Sequence, residues 1–369
     1  MKYFANLFRG TPRPLLLLPL AMAGISILMM ISTSYDDGVH LTDKTVLIQS
    51  AAYVLGYLCV VVLANMDYEV FQDVEKQLYI GSLIFLLLVY VPGLGVEMNG
   101  ARSWITLGFT TFQPSEIVKI TFILLMGIYL KRNKDKLYSF AAVVRALLYA
   151  LPFIGIVLIQ DLGSALVFMV IWVVMLFVAG IDGALFAKCC GLVAVCVPVA
   201  YHFMADYQKE RIDAFLHPDN LSIGSNWNVW QSKIAIGSGG LTGKGLFRGT
   251  QKDLDFLPVR NSDFVFSVLV EELGFIGGAV LIAIYVWFIW TIMKIAHSCK
   301  DIYGKLIVIG VVAMFVFQIF ENIGMTMGIM PCTGITLPFI SYGGSSVLAN
   351  MIAVGLVANV AIRSRGVQF

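Results

Sequence analysis

Apolar residues form long runs along the chain, separated by short polar segments. A helix needs about 20 mostly apolar residues to cross a bilayer. Proline and glycine occur within several runs, which membrane helices tolerate. The pattern predicts an all-α integral membrane protein with about ten transmembrane helices in a single polytopic domain, residues 1–369. The predicted spans are 15–34, 45–66, 77–94, 114–130, 141–160, 162–181, 184–205, 263–293, 305–328 and 345–362.

Lysine and arginine are distributed unequally between the polar segments. Basic residues gather at the N-terminus, in 131–136, in 294–305 and at Arg363 and Arg365, whereas the first loop of the opposite set, "YDDGVHLTDK", is mainly acidic. Short loops rich in Lys and Arg face the cytoplasm. We therefore expect both termini to be cytoplasmic. The same argument places 206–262, between helices seven and eight, outside as a large extracytoplasmic loop.

The composition agrees with a membrane protein, since 59% of residues are hydrophobic and 13% are charged, against about a quarter charged in soluble domains. A net charge of +2, with no basic tail, argues against nucleic-acid binding. The six cysteines form no CxxC pair and the four histidines do not cluster, so neither a disulfide framework nor a zinc or haem site is indicated.

The stretch "VRNSDFVFSVLVEELGF", residues 259–275, places acids at and inside an apolar run. A carboxylate within a bilayer costs roughly 2.5–3.5 kcal/mol on insertion scales, so its presence needs a reason. Asp263 falls in the first turn of the predicted helix, with Asn261 or Ser262 as a cap. The helix dipole favours a negative charge there. Asp263 therefore either stabilises this helix start or performs chemistry at the outer membrane edge.

Positions 263, 267, 271 and 274 share one face of that predicted helix, which reads Asp, Ser, Glu, Gly. This face should line a cavity or pack against polar groups rather than lipid. At 1.5 Å per residue, Glu271 lies about 12 Å from Asp263, too far for the two to form a close carboxylate pair. We expect Glu271 and Glu272 to be structural and to pair with Lys or Arg.

The segment "IAIGSGGLTGKGLFRGT", residues 234–250, superficially resembles a phosphate-binding loop. It does not match the Walker pattern, because no Gly lies five residues before Gly243 and Gly245 follows Lys244. Two interpretations stay open. A backbone nest with Lys244 and Arg248 holds an anionic lipid headgroup, or the segment is a flexible hairpin.

In "NGARSWITLGFTTFQPSEIVK", residues 99–119, Arg102 lies in a predicted outer loop and a helix begins at Pro114. The spacing of Glu116 and Lys119 predicts an i,i+3 ion pair that masks both charges. Alternatively, Lys119 or Arg102 faces a cavity and holds pyrophosphate.

Two more outer segments carry local signals. In "QDLGSAL", residues 160–166, Asp161 is placed to cap the following helix. The segment "GIMPCTGITLPFISYGGSS", residues 328–346, combines Pro, Gly and small residues and predicts an ordered, re-entrant outer loop.

Five motifs in order, "QPSEIVK", "QDLGSAL", "WQSKIAIGSGGLTGKGL", "FLPVRNSDFVFSVLVEELGFIGG" and "TGITLPFISYGGSS", resemble the SEDS family. These are the membrane glycosyltransferases of shape, elongation, division and sporulation, and the likeness covers nearly the whole chain. "LGFTTFQPSEI" and "LPFISYGG" look most like RodA. The essential aspartate of the family matches Asp263, although Val259, Asn261 and Ser262 replace its usual Glu, His and Thr. Thr336 stands where RodA proteins often have Pro.

The resemblance implies a peptidoglycan glycosyltransferase that polymerises lipid II for cell-wall elongation in the bacterial plasma membrane. It also implies a class B penicillin-binding protein as the crosslinking partner, beside membrane lipids and no nucleic acid. An inverting displacement of undecaprenyl pyrophosphate needs one base, for which Asp263 is the candidate, and cationic help for the leaving group. Side chains or a bound Mg²⁺ or Mn²⁺ would supply that help.

We therefore expect a substrate site drawn from several segments, in addition to the base. A lipid II flippase and a non-catalytic scaffold of the wall-synthesis complex remain as alternatives. The candidates for substrate binding are Arg102, Lys119, Arg211, Gln231, Ser232, Lys244, Arg260, Ser345 and Ser346, and the structural polar candidates are Glu116, Asp161, Glu271 and Glu272.

Overall fold

The structure is a computed structural model that describes residues 10–34, 44–98, 101–106, 108, 111–188, 191, 201–202, 204–220, 224–254, 256–257 and 259–365. Its helices are α1 (Arg13–Thr33), α2 (Lys44–Asn65), α3 (Val70–Asp73), α4 (Glu75–Leu87), α5 (Pro114–Asn133), α6 (Phe140–Gln160), α7 (Leu162–Val178), α8 (Asp206–Leu216), α9 (Gly224–Ser238), α10 (Thr250–Asp253), α11 (Val265–Ser298), α12 (Ile302–Thr326) and α13 (Gly344–Arg365).

Six of the described helices are long and apolar enough to cross a membrane, namely α1, α2, α6, α11, α12 and α13. Helix α7 is apolar but shorter, and α5 has 20 residues but carries four charged side chains. Each of these helices falls on a predicted span, so the expected multi-pass, all-α membrane fold is confirmed. The predicted seventh span, 184–205, lies largely outside the described residues.

Helices α12 and α13 are the most enclosed of the spans. Helix α12 packs against α5, α7 and α11, and α13 packs along α2. Both helices carry polar side chains that are buried in the bundle rather than exposed to lipid, including Asn322 of α12 and Asn359 of α13. The two C-terminal helices therefore form the centre around which the other spans are arranged.

Two regions that the hydrophobic pattern described as loops contain regular structure. Strands β1 (Gly95–Met98), β2 (Ala101–Thr106) and β3 (Thr111–Phe112) form an antiparallel sheet in the order β1-β2-β3. The loop 206–262 contains α8, α9 and α10. Helix α9 buries Gln231 and Ser232 and exposes Trp227. A soluble amphipathic helix buries apolar residues and exposes polar ones, whereas α9 does the opposite at these positions. The hydrophobic pattern therefore did not predict this helix.

Helix α11 is broken at Gly274, so the uniform face predicted for 263–274 ends there. Gly274 has φ 71° and ψ −171°, outside the helical region. A Cβ at this position would lie 2.3 Å from the backbone N of Gly243 and 2.4 Å from the backbone O of Leu241. Only glycine permits both this backbone conformation and this approach.

The glycine-rich loop, which is the part of the segment 234–250 that follows α9, supplies the hydrogen bonds that the break removes. The carbonyls of Glu271 and Glu272 would accept from the amides of residues 275 and 276 in an intact helix. Here they accept from Lys244 N at 3.0 Å and Gly245 N at 3.1 Å. The amides of residues 275 and 276 donate to the carbonyls of residues 240 and 241 instead. The loop is therefore inserted into α11, and neither the predicted anion nest nor the flexible hairpin describes it.

The segment 331–343, between α12 and α13, enters the bundle and is held by buried polar side chains. Ser26 donates to the carbonyl of Ile340 at 2.8 Å, and Gln49 donates to the carbonyl of Ser341 at 3.0 Å. Tyr285 donates to the carbonyl of Pro338 at 2.5 Å. Backbone groups without regular partners need such bonds when buried. The segment is ordered and re-entrant, as its composition predicts.

Candidate active site

A cavity of about 310 Å³ lies at the end of the bundle where α5, α7, α11 and α13 begin. Strand β2, helix α8 and the segment 331–343 complete its wall. Four of the five motifs contribute polar side chains to the lining. The lining residues are Ser103, Trp104, Thr111, Gln113, Glu116, Lys119, Asp161, Ser164, Val167, Arg211, Val259, Asn261, Ser262, Asp263, Thr333, Gly334, Ile335, Thr336, Tyr342, Gly343, Gly344 and Ser345.

Four helix N-termini converge on this cavity. Gln113 and Asp161 are the N-caps of α5 and α7, Asp263 lies two residues before α11, and Ser345 is in the first turn of α13. The expected cap at Asp161 is present, since its carboxylate accepts from the amides of residues 163 and 164 at 3.3 and 2.9 Å. Helix N-termini carry partial positive charge and unpaired amides. The cavity is therefore suited to an anion.

Asp263 lies in the turn that precedes α11 and not in its first helical turn, which corrects the sequence interpretation. Neither predicted cap is used, because the N-cap position is Phe264 and no side chain caps this helix. Ser262 Oγ donates to Asp263 Oδ1 at 3.0 Å. Asn322 Nδ2, from α12, donates to the backbone carbonyl of Asp263 at 3.0 Å. The carboxyl group is thus fixed by neighbours while it faces the cavity.

The surroundings of Asp263 change its acidity. Burial in the cavity wall raises the pKa of the carboxyl group to about 6, and the charge of Asp161 acts in the same direction. The hydrogen bond from Ser262 and the charge of Arg211 act against that rise. A base with a pKa just below neutrality is ionised at pH 7 and still holds a proton well, which suits general-base catalysis.

Lys119 and Arg211 are cationic residues of the cavity wall. Lys119 Nζ forms the expected i,i+3 ion pair with Glu116 Oε1 at 2.7 Å, and both side chains are buried. Both also line the cavity, so Lys119 forms the predicted ion pair and also faces the cavity, while its binding of pyrophosphate stays a prediction. Arg211 Nη1 donates to the carbonyl of Thr333 at 2.5 Å.

Three other predicted substrate-binding residues are not among the lining residues. Arg102 lies exposed on β2, while its neighbours Ser103 and Trp104 line the cavity. Gln231 and Ser232 are buried on α9, where Ser232 Oγ contacts Ser267 Oγ at 2.6 Å and donates to the carbonyl of Thr326 at 2.7 Å. The Ser232 hydroxyl therefore holds α9 against α11 and α12.

Lys244, Arg260 and Ser346 also lie away from the cavity lining. Lys244 Nζ is bound to Glu271 Oε1 at 2.7 Å, because the glycine-rich loop is inserted beside that carboxylate. Arg260 donates to the carbonyls of Thr33 at 3.2 Å and Lys252 at 2.5 Å, and so ties the loop to α1. Ser346 Oγ contacts Thr336 Oγ1 at 2.9 Å. Ser345, the neighbour of Ser346, does line the cavity.

Glu271 and Glu272 are fully buried and paired with lysines, as expected. Glu271 accepts from Lys244, from Thr250 Oγ1 at 3.0 Å and from the amide of Gln251 at 3.1 Å. Glu272 Oε1 pairs with Lys252 Nζ at 2.7 Å. Both lysines come from the loop 206–262. The two pairs therefore hold this loop on α11 beside its break.

The sequence analysis did not identify Glu321 and Asn322 of α12, which bind residues of the cavity wall without lining the cavity themselves. Glu321 Oε1 accepts from the hydroxyl of Thr333. Asn322 Nδ2 reaches the carbonyl of Ile335 at 2.8 Å as well as that of Asp263. A signal existed, because an acid inside an apolar membrane run is a functional candidate by default.

The side chains present do not form a complete metal site. Within the described residues, no three His, Cys, Asp or Glu side chains are grouped to hold a metal ion. Mg²⁺ commonly takes one or two protein carboxylates together with substrate phosphate oxygens and water. A divalent cation could fit this cavity in that way, with Asp263 as the protein ligand and a substrate phosphate as the other.

Proteins similar to this chain match it over nearly its whole length. The chain is 34% identical over 347 residues to the protein named peptidoglycan glycosyltransferase MrdB of Escherichia coli (strain K12), covering 94% of this chain and 92% of that protein. The structure matches that of the rod shape determining protein RodA of Thermus thermophilus, with a TM-score of 0.69, 30% identity and 95% and 96% of the two chains covered.

A second solved structure is also similar. It is described as "Structural coordination of polymerization and crosslinking by a peptidoglycan synthase complex", and the match has a TM-score of 0.79 and 30% identity over 97% of this chain and 99% of that one. The family model of FtsW, RodA and SpoVE, described as "Cell cycle protein", matches residues 13–366. The chain therefore belongs to this family, the SEDS family, and is RodA-like, as its motifs predict.

Proposed function

We propose that the protein is a peptidoglycan glycosyltransferase that polymerises lipid II into glycan strands for cell-wall elongation. One observation carries this proposal. A single cavity brings together an ionisable carboxylate, Asp263, two cationic side chains, Lys119 and Arg211, and four helix N-termini. A base facing an anion-binding wall is what transfer from a sugar pyrophosphate requires. The names of the relatives agree with this activity.

In the proposed reaction, Asp263 accepts the proton of the acceptor 4-hydroxyl as that oxygen attacks the anomeric carbon of the donor. The α-linked pyrophosphate leaves with the bonding electrons, so a β-1,4 bond forms with inversion. Lys119, Arg211 and the helix N-termini stabilise the negative charge that develops on the leaving group. Undecaprenyl pyrophosphate is a good leaving group by itself, so no second acid is needed.

A divalent cation, Mg²⁺ or Mn²⁺, would supply further charge neutralisation at the pyrophosphate when bound. Asp263 is the cavity carboxylate that would contact it. The carboxylate of Asp161 is occupied by the amides that it caps. Glu116 pairs with Lys119 through Oε1, so its charge is already neutralised.

The proposed topology places the cavity at the outer face of the bacterial plasma membrane, with both termini in the cytoplasm and the loop 206–262 outside. The charge of the short loops supports this orientation. The four helices that start at the cavity also share one direction, so their N-termini lie on one side of the membrane. The lipid tail of the substrate would stay in the bilayer while its sugars reach the cavity.

We further propose a class B penicillin-binding protein as the partner that crosslinks the strands. The similar structure whose description names a synthase complex for polymerization and crosslinking supports this assignment. The partner would act on the product as it leaves the cavity, so the two activities would share a complex.

The test is polymerisation of purified lipid II by the reconstituted protein, with and without its class B partner. Wild type should make long glycan strands and Asp263→Asn should make none. Asp219→Asn is the matched control, because Asp219 is an exposed acid of the same outer loop and does not line the cavity. It should remain active.

Absence of strands from folded wild type, beside an active control enzyme, would overturn the proposal. Movement of fluorescent lipid II across the bilayer in that case would identify a flippase. A protein that neither polymerises nor moves lipid II but still binds the partner would be a scaffold.

A further inference from the structure

Glu321 is a buried carboxyl group that the proposed reaction does not use. It lies within α12 and has no exposed surface, although ionisable residues inside membrane helices are costly. Its Oε1 accepts a hydrogen bond from the hydroxyl of Thr333. Among the described residues, no group donates to its Oε2. A carboxyl group that is costly to bury and makes so few hydrogen bonds to the helix bundle indicates a functional role in addition to packing.

Thr333 connects Glu321 to the cavity wall. Its hydroxyl donates to Glu321, while its backbone carbonyl accepts from Arg211 Nη1 at 2.5 Å. A Cβ on the next residue, Gly334, would lie 3.5 Å from Asp263 Oδ2 and 4.0 Å from Arg211 Nη2. The backbone of 333–334 therefore lies between the base and a cation of the cavity, and Glu321 fixes one end of it.

The neighbouring residue strengthens this connection. Asn322 donates to the carbonyls of Asp263 and Ile335 at 3.0 and 2.8 Å. Two consecutive side chains of α12 therefore hold the base and both sides of the 333–335 backbone.

We propose that Glu321 is a positioning residue of the active site. By holding the Thr333 hydroxyl, it sets the backbone carbonyl that orients Arg211, and so it sets the distance between that guanidinium and Asp263. This inference rests on the proposed function, because it gives Arg211 the substrate pyrophosphate as its ligand. Displacements of about 1 Å at such a site can reduce rates by up to about 100-fold.

Conservative variants separate positioning from bulk packing. Glu321→Gln keeps an oxygen acceptor for Thr333 and the side-chain volume, whereas Glu321→Leu removes the acceptor. In the same way, Thr333→Ser keeps the hydroxyl and Thr333→Val removes it. We expect kcat/KM for lipid II to fall about 10-fold in Glu321→Leu and in Thr333→Val, and to stay within about threefold of wild type in the two conservative variants.

A double-mutant cycle with Arg211→Gln tests the route of the effect. If Glu321 acts through Arg211, then Glu321→Leu should reduce kcat/KM by less than about twofold once Arg211 is replaced. If the reductions of kcat/KM in the two single variants multiply in the double variant, the inference is overturned. A wild-type kcat/KM in Glu321→Leu would also overturn it. If Glu321→Leu does not fold, the same cycle with Thr333→Val decides the matter.

The affinity for undecaprenyl pyrophosphate, measured on the same reconstituted proteins, is the second readout. We expect Glu321→Leu to weaken it about 10-fold and the loss to disappear in the Arg211→Gln background. If the variants show coupled losses of affinity but the wild type makes no strands, the proposed function is refuted and this inference is retained. Strand synthesis with independent effects of the two replacements would refute this inference and retain the function.

Discussion

Two groups of acids on one short stretch, Asp263 and the pair Glu271 and Glu272, have opposite surroundings. Asp263 is partly exposed, faces a cavity and receives a side-chain hydrogen bond from Ser262. The two glutamates lie a few turns further along, are fully buried and are each bound to a lysine. All three are carboxylates within residues 263–272. Their roles differ because one faces open space and the others face the inserted loop.

Replacement of Asp263 should give the largest effect and should affect activity alone. Asp263→Asn removes the base while keeping the shape, so we expect polymerisation to fall on the order of 1,000-fold or more. Burial raises the pKa of Asp263 to about 6, so its ionisation above pH 6 costs stability. The melting temperature of Asp263→Asn at pH 8 should therefore equal or exceed that of wild type. A clear drop would show that Asp263 is structural.

Replacement of Glu272 should give the converse result, a loss of stability. Its partner Lys252 is as deeply buried, and Glu272→Gln leaves that charge with the more distant carboxylate of Asp253, 3.9 Å away, as its counterion. Breaking such a pair costs about 3 kcal/mol or more of unfolding free energy. Removing both charges in Glu272→Met with Lys252→Met should recover much of this loss. Thermal unfolding in detergent compares the variants, and a double variant less stable than Glu272→Gln would contradict the assignment.

The pH dependence of strand synthesis should show the state of Asp263. Since the base acts when ionised and its pKa is about 6, the rate should fall by roughly tenfold between pH 7 and pH 5. Melting temperatures over the same range would show whether unfolding explains the loss. A rate that stays constant down to pH 5 would mean that this carboxyl group does not limit the reaction.

Glu271→Gln should have the smallest effect, a loss of about 1 kcal/mol of stability with activity retained. Its partner Lys244 has a side chain that is 25% exposed, so water can solvate the charge that is left. An unchanged melting temperature together with lost activity would contradict this. It would also place Glu271 in the same class as Asp263.

Local patterns predicted the parts of the structure that depend on neighbours in sequence. The apolar runs predicted eight of the described helices, although the run 77–94 contains only the short α4, which ends at Leu87. The spacing of Glu116 and Lys119 predicted their ion pair, and the position of Asp161 predicted its role as an N-cap. The partners of Glu271 and Glu272 could not be assigned, because Lys244 and Lys252 are 20 or more residues away in sequence and meet them only after the loop is inserted.

The same limit explains the misplaced and missed residues of the site. Lys244 and Arg260 were expected at the substrate because they are basic and outside the predicted spans, but their ligands are groups of the protein itself. The break at Gly274 depends on the approach of Leu241, which no periodicity records. Glu321 reaches the cavity through Thr333, a contact that exists only because 331–343 turns back into the bundle.

The order in which the cavity wall appears along the chain has a consequence for biogenesis. Its lining begins at Ser103 and ends at Ser345, in the first turn of the last described helix. A chain that is still being synthesised has the base and both cations before it has α13. The wall can therefore close only after α13 has been synthesised and inserted beside the earlier helices, and that insertion is the step at which a newly made molecule gains its complete cavity.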